Sequence, residues 1–145
     1  MKIRILTLLL SFSLFLSCNN NDNSIQNETI IGIWNLKNVS GGFPGVDIDY
    51  ENVLWKFVSE TNVLIVESSL INNGPQSVYL PLQSGNYNYS LTELNGKTFI
   101  IIEGFRIFNN GEYGRYKIND NNLMIDQGEG SEANASDVFI LQFER

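Results

Sequence analysis

Three carboxylates, Asp47, Asp49 and Glu51, stand at alternate positions of the segment Asp47-Ile48-Asp49-Tyr50-Glu51. On an extended chain they project to one side, and a hard cation such as calcium wants several oxygen ligands at once. The preceding Gly41-Gly42-Phe43-Pro44-Gly45 lacks the dense Asp/Asn/Gly spacing of a dedicated calcium loop. The segment is therefore expected to be a solvated acidic approach to a strand, holding no metal. Glycoside hydrolysis by a carboxylate pair needs two groups facing each other across a cleft, which neighbours on one strand do not supply. Inventory removes most other chemistry. The chain has 145 residues, no histidine and a single cysteine, Cys18, so a Cys/His zinc site, a disulfide framework and a histidine-based nucleophile are excluded. No catalytic residue and no cofactor is expected, and the protein reads as a non-enzyme. With 9 Lys+Arg against 16 Asp+Glu and a net charge of −7, it also lacks the basic clusters that neutralise phosphates, so no nucleic-acid partner is expected.

What remains is aromatic. Alternation places Val53, Trp55 and Phe57 on one face, Tyr87, Tyr89 and Leu91 on another, then Phe99 with Ile101, and Phe139, Leu141 and Phe143. The opposite side of the Tyr87 segment is Asn86, Asn88, Ser90 and Thr92, so there the apolar face must point inward. Trp55, Phe57, Tyr87, Tyr89 and Phe99 are the candidate lining for a small apolar or amphipathic ligand, against the alternative that the same rings fill the core. Phe43, Tyr50 and Tyr79 lie in or beside long connections and are expected to be exposed, either contacting a glycan or protein or capping the fold.

These residues need elements to hold them. Met1 to Ser17 carries Lys2 and Arg4, then an apolar run too short to span a bilayer, then a small residue: the layout of an export signal. Leu14-Phe15-Leu16-Ser17-Cys18 resembles the lipobox of bacterial lipoproteins. The resemblance implies cleavage before Cys18, acylation of that cysteine and attachment to the membrane through it, with an outer-membrane location facing the periplasm or the cell surface of a Gram-negative envelope. Removing Lys2 and Arg4 takes the formal charge from −7 to −9, and an acidic surface is repelled by anionic head groups, so attachment must come from the acyl chains. Residues 18–28, with Asn19-Asn20-Asn21-Asp22-Asn23-Ser24, bury too little apolar area to offset their chain entropy and read as a tether.

The chain from 29 to 145 forms one domain. Its apolar pattern has period two, and eight strands are expected: Ile30 to Val39, Asn52 to Ser59, Thr61 to Ser68, Gly85 to Glu93, Lys97 to Phe108, Gly114 to Asn119, Asn122 to Asp126 and Val138 to Glu144. Leu94-Asn95-Gly96-Lys97 is the strongest hairpin signal, and other short polar turns join neighbours into an antiparallel meander. Two connections are long, Ser40 to Glu51 and Ser69 to Ser84, as functional loops often are. An open meander leaves two unpaired edges; closing eight strands into an up-and-down β-barrel removes them.

Gly32-Ile33-Trp34 in the first strand and Arg145 at the end of the last resemble the lipocalins and the shorter bacterial lipocalin-like lipoproteins. There a Gly-x-Trp near the start packs its indole across one barrel end and a late arginine stacks on it. The resemblance implies barrel closure by Gly32, Trp34 and Arg145. Gly85-Asn86-Tyr87 and Gly114-Arg115-Tyr116 look like the Gly-x-Tyr strand starts of that lipoprotein group. The expected function is a non-catalytic, lipid-anchored, monomeric envelope protein that binds a small hydrophobic ligand. The alternative is a filled barrel whose long loops bind a surface glycan or an envelope protein.

Overall fold

The computed structural model describes residues 29–43, 45–70 and 74–145. The export signal, Cys18 and the tether lie outside the described residues. Ten elements follow in order: β1 (Gly32–Gly41), β2 (Val46–Asp49), β3 (Val53–Val58), β4 (Val63–Ser68), α1 (Pro75–Val78), β5 (Gly85–Leu94), β6 (Lys97–Ile102), β7 (Glu112–Asn119), β8 (Asn122–Asp126) and β9 (Phe139–Glu144). Each strand from β3 to β9 pairs antiparallel with its neighbour in sequence, and β9 returns to pair with β1 from Asn35 to Gly41. The result is the expected all-β, eight-stranded, antiparallel up-and-down closed barrel.

The ninth strand does not add a ninth stave. One edge of β1 is shared: Gly32–Asn35 pairs with β3, and Asn38–Gly41 pairs with β2. β2 and β3 thus form one stave broken at Tyr50-Glu51-Asn52. The sequence reading placed Ser40 to Glu51 in a loop and missed β2, because five residues rich in glycine and proline outweigh a four-residue strand. Two further boundaries are corrected. β6 ends at Ile102, where the chain turns through Glu103 and Gly104 and bridges Phe105 back to Ile102. β7 starts at Glu112, so Gly114 lies inside a strand and does not open one.

Strand direction gives the barrel two unlike ends. The hairpins at 59–62, 95–96 and 120–121 cluster at one end with the start of β1 and the end of β9. There Trp34 is fully buried, its Nε1–H donates to the Ile30 carbonyl at 2.7 Å, and the Arg145 guanidinium lies 4.0 Å over the indole. Arg145 also donates to the carbonyls of Thr29 and Ile31, tying the entering chain to the end of the last strand. The other end carries the three longer connections, after β4, β6 and β8, together with the four-residue turn after β1.

Two bulges set which residues point inward. In β1, Lys37 is extra against β9, which lets Leu36 and Val39 both be buried although they are three residues apart. In β7, Tyr113 is extra against β6, since Ile100 pairs with Gly114 and Ile101 with Glu112. The interior is packed around Trp55, whose ring centroid lies 5.0 Å from Phe143, 6.3 Å from Phe57 and 6.4 Å from Tyr113. Rings of this size fill a barrel of eight staves with side chains.

Candidate functional site

Of the five expected lining residues, three meet in the interior. Trp55 and Phe57 are fully buried, and Phe57 meets Tyr89 edge to face at 5.1 Å. Burial raises the Tyr89 phenol above the ordinary range, helped by Tyr116 and Glu60 nearby. Tyr87 is half-buried toward the open end; its hydroxyl donates to the Gln83 carbonyl at 2.8 Å and its ring meets Phe105 edge-on.

Phe99 is the correction. Tyr89 pairs with Ile102 and Leu91 with Ile100, so the interior takes Ile100 and Ile102, and Phe99 points outward. It is nonetheless 1 % exposed. Directly opposite it on β7 is Arg115, whose guanidinium reaches Glu129 at 2.6 Å in the connection after β8. That connection folds back across the outer face beside Phe99. The sequence could not resolve this, since Phe99-Ile100-Ile101-Ile102 is apolar at every position and alternation has nothing to read.

The loop aromatics part company too. Phe43 is 87 % exposed, as expected. Tyr50 is instead buried in the core. Its hydroxyl donates to the Gln76 carbonyl at 3.0 Å, while the Gln76 amide donates to the Asp49 carbonyl at 2.6 Å, so the break between β2 and β3 holds α1 in place. Burial pushes the Tyr50 phenol up to about 12. Tyr79 packs edge-on against Phe139 at 6.1 Å. The acidic segment is spent structurally: the Asn38 amide donates to Asp47 at 2.7 Å and to Asp49 at 3.1 Å. Among the described residues no three His, Cys, Asp or Glu side chains cluster as a metal site, and no helix is long and apolar enough to cross a membrane.

The site with most chemical character is a groove of about 380 Å³ at the open end, between the connections after β4 and β6. Tyr79, Leu80, Phe105, Ile107 and Phe139 form its walls, Arg106 its rim, and Tyr113 and Gln127 its floor. Tyr113 is 2 % exposed, yet its hydroxyl has no hydrogen-bond partner. The nearby Gln127 amide only partly offsets the effect of burial, which drives this phenol well above its ordinary range. A buried hydroxyl without a partner costs about 1–3 kcal/mol, and the bulge at Tyr113 is what aims the ring inward. Sequence reasoning missed Tyr113, Gln127 and Arg106. Only the Glu112-Tyr113-Gly114 run, with a glycine where a bulge crowds the neighbouring strand, could have marked the place.

Comparison of the chain with known family models, curated proteins and solved structures finds no match.

Proposed function

We propose that this is a non-catalytic, lipocalin-like envelope lipoprotein, anchored through Cys18, whose barrel binds a small apolar or amphipathic molecule at its open mouth. The observation that carries the reading is the groove of about 380 Å³ lined at its base by Tyr113, whose buried hydroxyl is unpartnered. Its volume falls within the range of about 300–1,000 Å³ typical of small-ligand pockets. The stacking of Arg145 on Trp34 supports the lipocalin-like assignment. The filled interior moves the site from the barrel centre to the mouth. Thr29 lies at the closed end, held by Arg145, so the barrel joins the segment that leads back to Cys18 at the end opposite the mouth. Native mass spectrometry of the protein purified from its own membrane tests both halves: a diacylated or triacylated Cys18 and a retained small molecule are expected. An unmodified, unliganded chain overturns the proposal.

A second reading has one observation in its favour. Phe43 and Val78, both at the open end, are 87 % and 74 % exposed, which suits contact with a surface glycan or an envelope protein. Under that reading Phe43→Ala, in protein carrying Cys18→Ser so that no acyl anchor holds it, abolishes binding to cell-envelope fractions, whereas a mouth-binding protein is unaffected.

A further inference from the structure

The polar groups of the mouth groove are one-sided in chemistry. Arg106 is exposed at the rim and makes no ion pair among the described residues. Gln127 Oε1 already accepts from the Phe139 amide at 3.2 Å, leaving its nitrogen to donate. Tyr113 offers a proton that nothing accepts. The groove therefore presents donors, and they differ by depth: a charged, wet one outside and neutral, dry ones inside. Aromatic rings stand between them: Tyr79, which packs edge-on with Phe139, and Phe105, which packs edge-on with Tyr87 behind it. Below Tyr113 the way is closed by Trp55, so a long alkyl chain has no depth to enter.

We propose that the groove takes an oxygenated aromatic carboxylate, with its carboxylate outward on Arg106 and an uncharged oxygen inward on the Tyr113 hydroxyl. The orientation follows from desolvation. A carboxylate on the floor would lose its water beside no cation, whereas at the rim it keeps solvent and gains a guanidinium. A ligand with no inner oxygen leaves Tyr113 as costly as it is in the free protein. A flat ring packs against walls that are themselves largely aromatic. The inference deepens the ligand-binding reading above and rests on it.

Three probes separate the two contacts: para-coumarate, which has both ends; cinnamate, which lacks the inner oxygen; and para-coumaramide, which lacks the charge. Calorimetric titration of the full chain should rank para-coumarate first, with cinnamate and para-coumaramide each about fivefold to tenfold weaker. In Arg106→Met the advantage over the amide should vanish while the advantage over cinnamate stays. In Tyr113→Phe the reverse is expected. Both variants fold if their far-ultraviolet circular dichroism and cooperative urea unfolding match the wild type, which makes a loss of preference a statement about the site. Equal affinity for all three probes, or preferences that survive both substitutions, overturns the ligand class and leaves a mouth that binds small molecules on shape alone. Failure of every probe to bind wild type, together with an unliganded protein by native mass spectrometry, overturns the ligand-binding reading as well.

Discussion

At the scale of single residues the ends of the barrel are governed by opposite rules. Trp34 has its indole N–H bonded to Ile30 and its face under Arg145. The indole N–H and the indole face are both engaged there, and the pairing was legible through the resemblance that Gly32-Ile33-Trp34 and Arg145 carry. Arg145→Met removes a cation–π contact worth about 0.5–2 kcal/mol and frees two backbone carbonyls, so urea denaturation should show a loss of about 1–2 kcal/mol. Tyr113 is the converse. Its hydroxyl is buried without a partner, so Tyr113→Phe deletes an unsatisfied group while keeping the ring, and stability should rise by about 1 kcal/mol. A loss of that size would mean that the hydroxyl is already bonded in the free protein. Tyr113 was not legible because its orientation depends on an extra residue relative to β6, and a single strand read alone gives no register.

At the scale of elements, register decides what alternation cannot. The bulge in β7 crowds Gly114, whose φ of +154° is one that side chains rarely adopt, and a Cβ there would stand 2.5 Å from the Asp126 carbonyl oxygen on β8. Gly114→Ala should cost about 2 kcal/mol or more and loosen the pairing of β7 with β8, seen as faster amide exchange across that pair. The connection after β8 is held differently. Glu129 faces Arg115 at 2.6 Å, Lys117 at 3.4 Å and Lys97 at 3.7 Å. The hydrogen bond from Arg115 comes first in holding its carboxyl below the usual carboxylate range. A carboxylate with a depressed folded pKa contributes stability that is present above its unfolded pKa, about 4.5, and lost as pH falls through the lower folded value. Stability measured down to pH 3 should therefore fall below about pH 4.5 in wild type, and this part of the fall should be missing in Glu129→Gln. The variant should be less stable than wild type at pH 7, where three cations lose their shared carboxylate.

At the scale of the whole molecule, closure is the property that the strands hold jointly. The meander, the strand count and the need to remove two edges were legible from period-two patterning and turn residues such as Asn95-Gly96. The break that divides one stave between β2 and β3, and the burial of Tyr50 within it, were not, because they depend on which half of β1 each segment meets. The mouth groove was illegible for the same reason: Tyr79, Arg106, Tyr113 and Gln127 are far apart in the chain and meet only once the barrel has closed. The seam between β1 and β9 is where closure is decided. β9 supplies Leu141 and Phe143 to the core, and Arg145 follows it to cover Trp34. A chain ending at Asp137 loses all three and leaves β8 and β1 with unpaired edges, templates for pairing with other chains. It should elute in size-exclusion chromatography as aggregates larger than the full chain. A peptide of residues 138–145 added during refolding should restore the elution volume of the full chain by adding the missing strand, since backbone pairing and two apolar anchors are what the seam requires. If the truncated chain instead refolds alone as a soluble monomer with native tryptophan fluorescence, the seam is dispensable and the barrel is held by its hairpins.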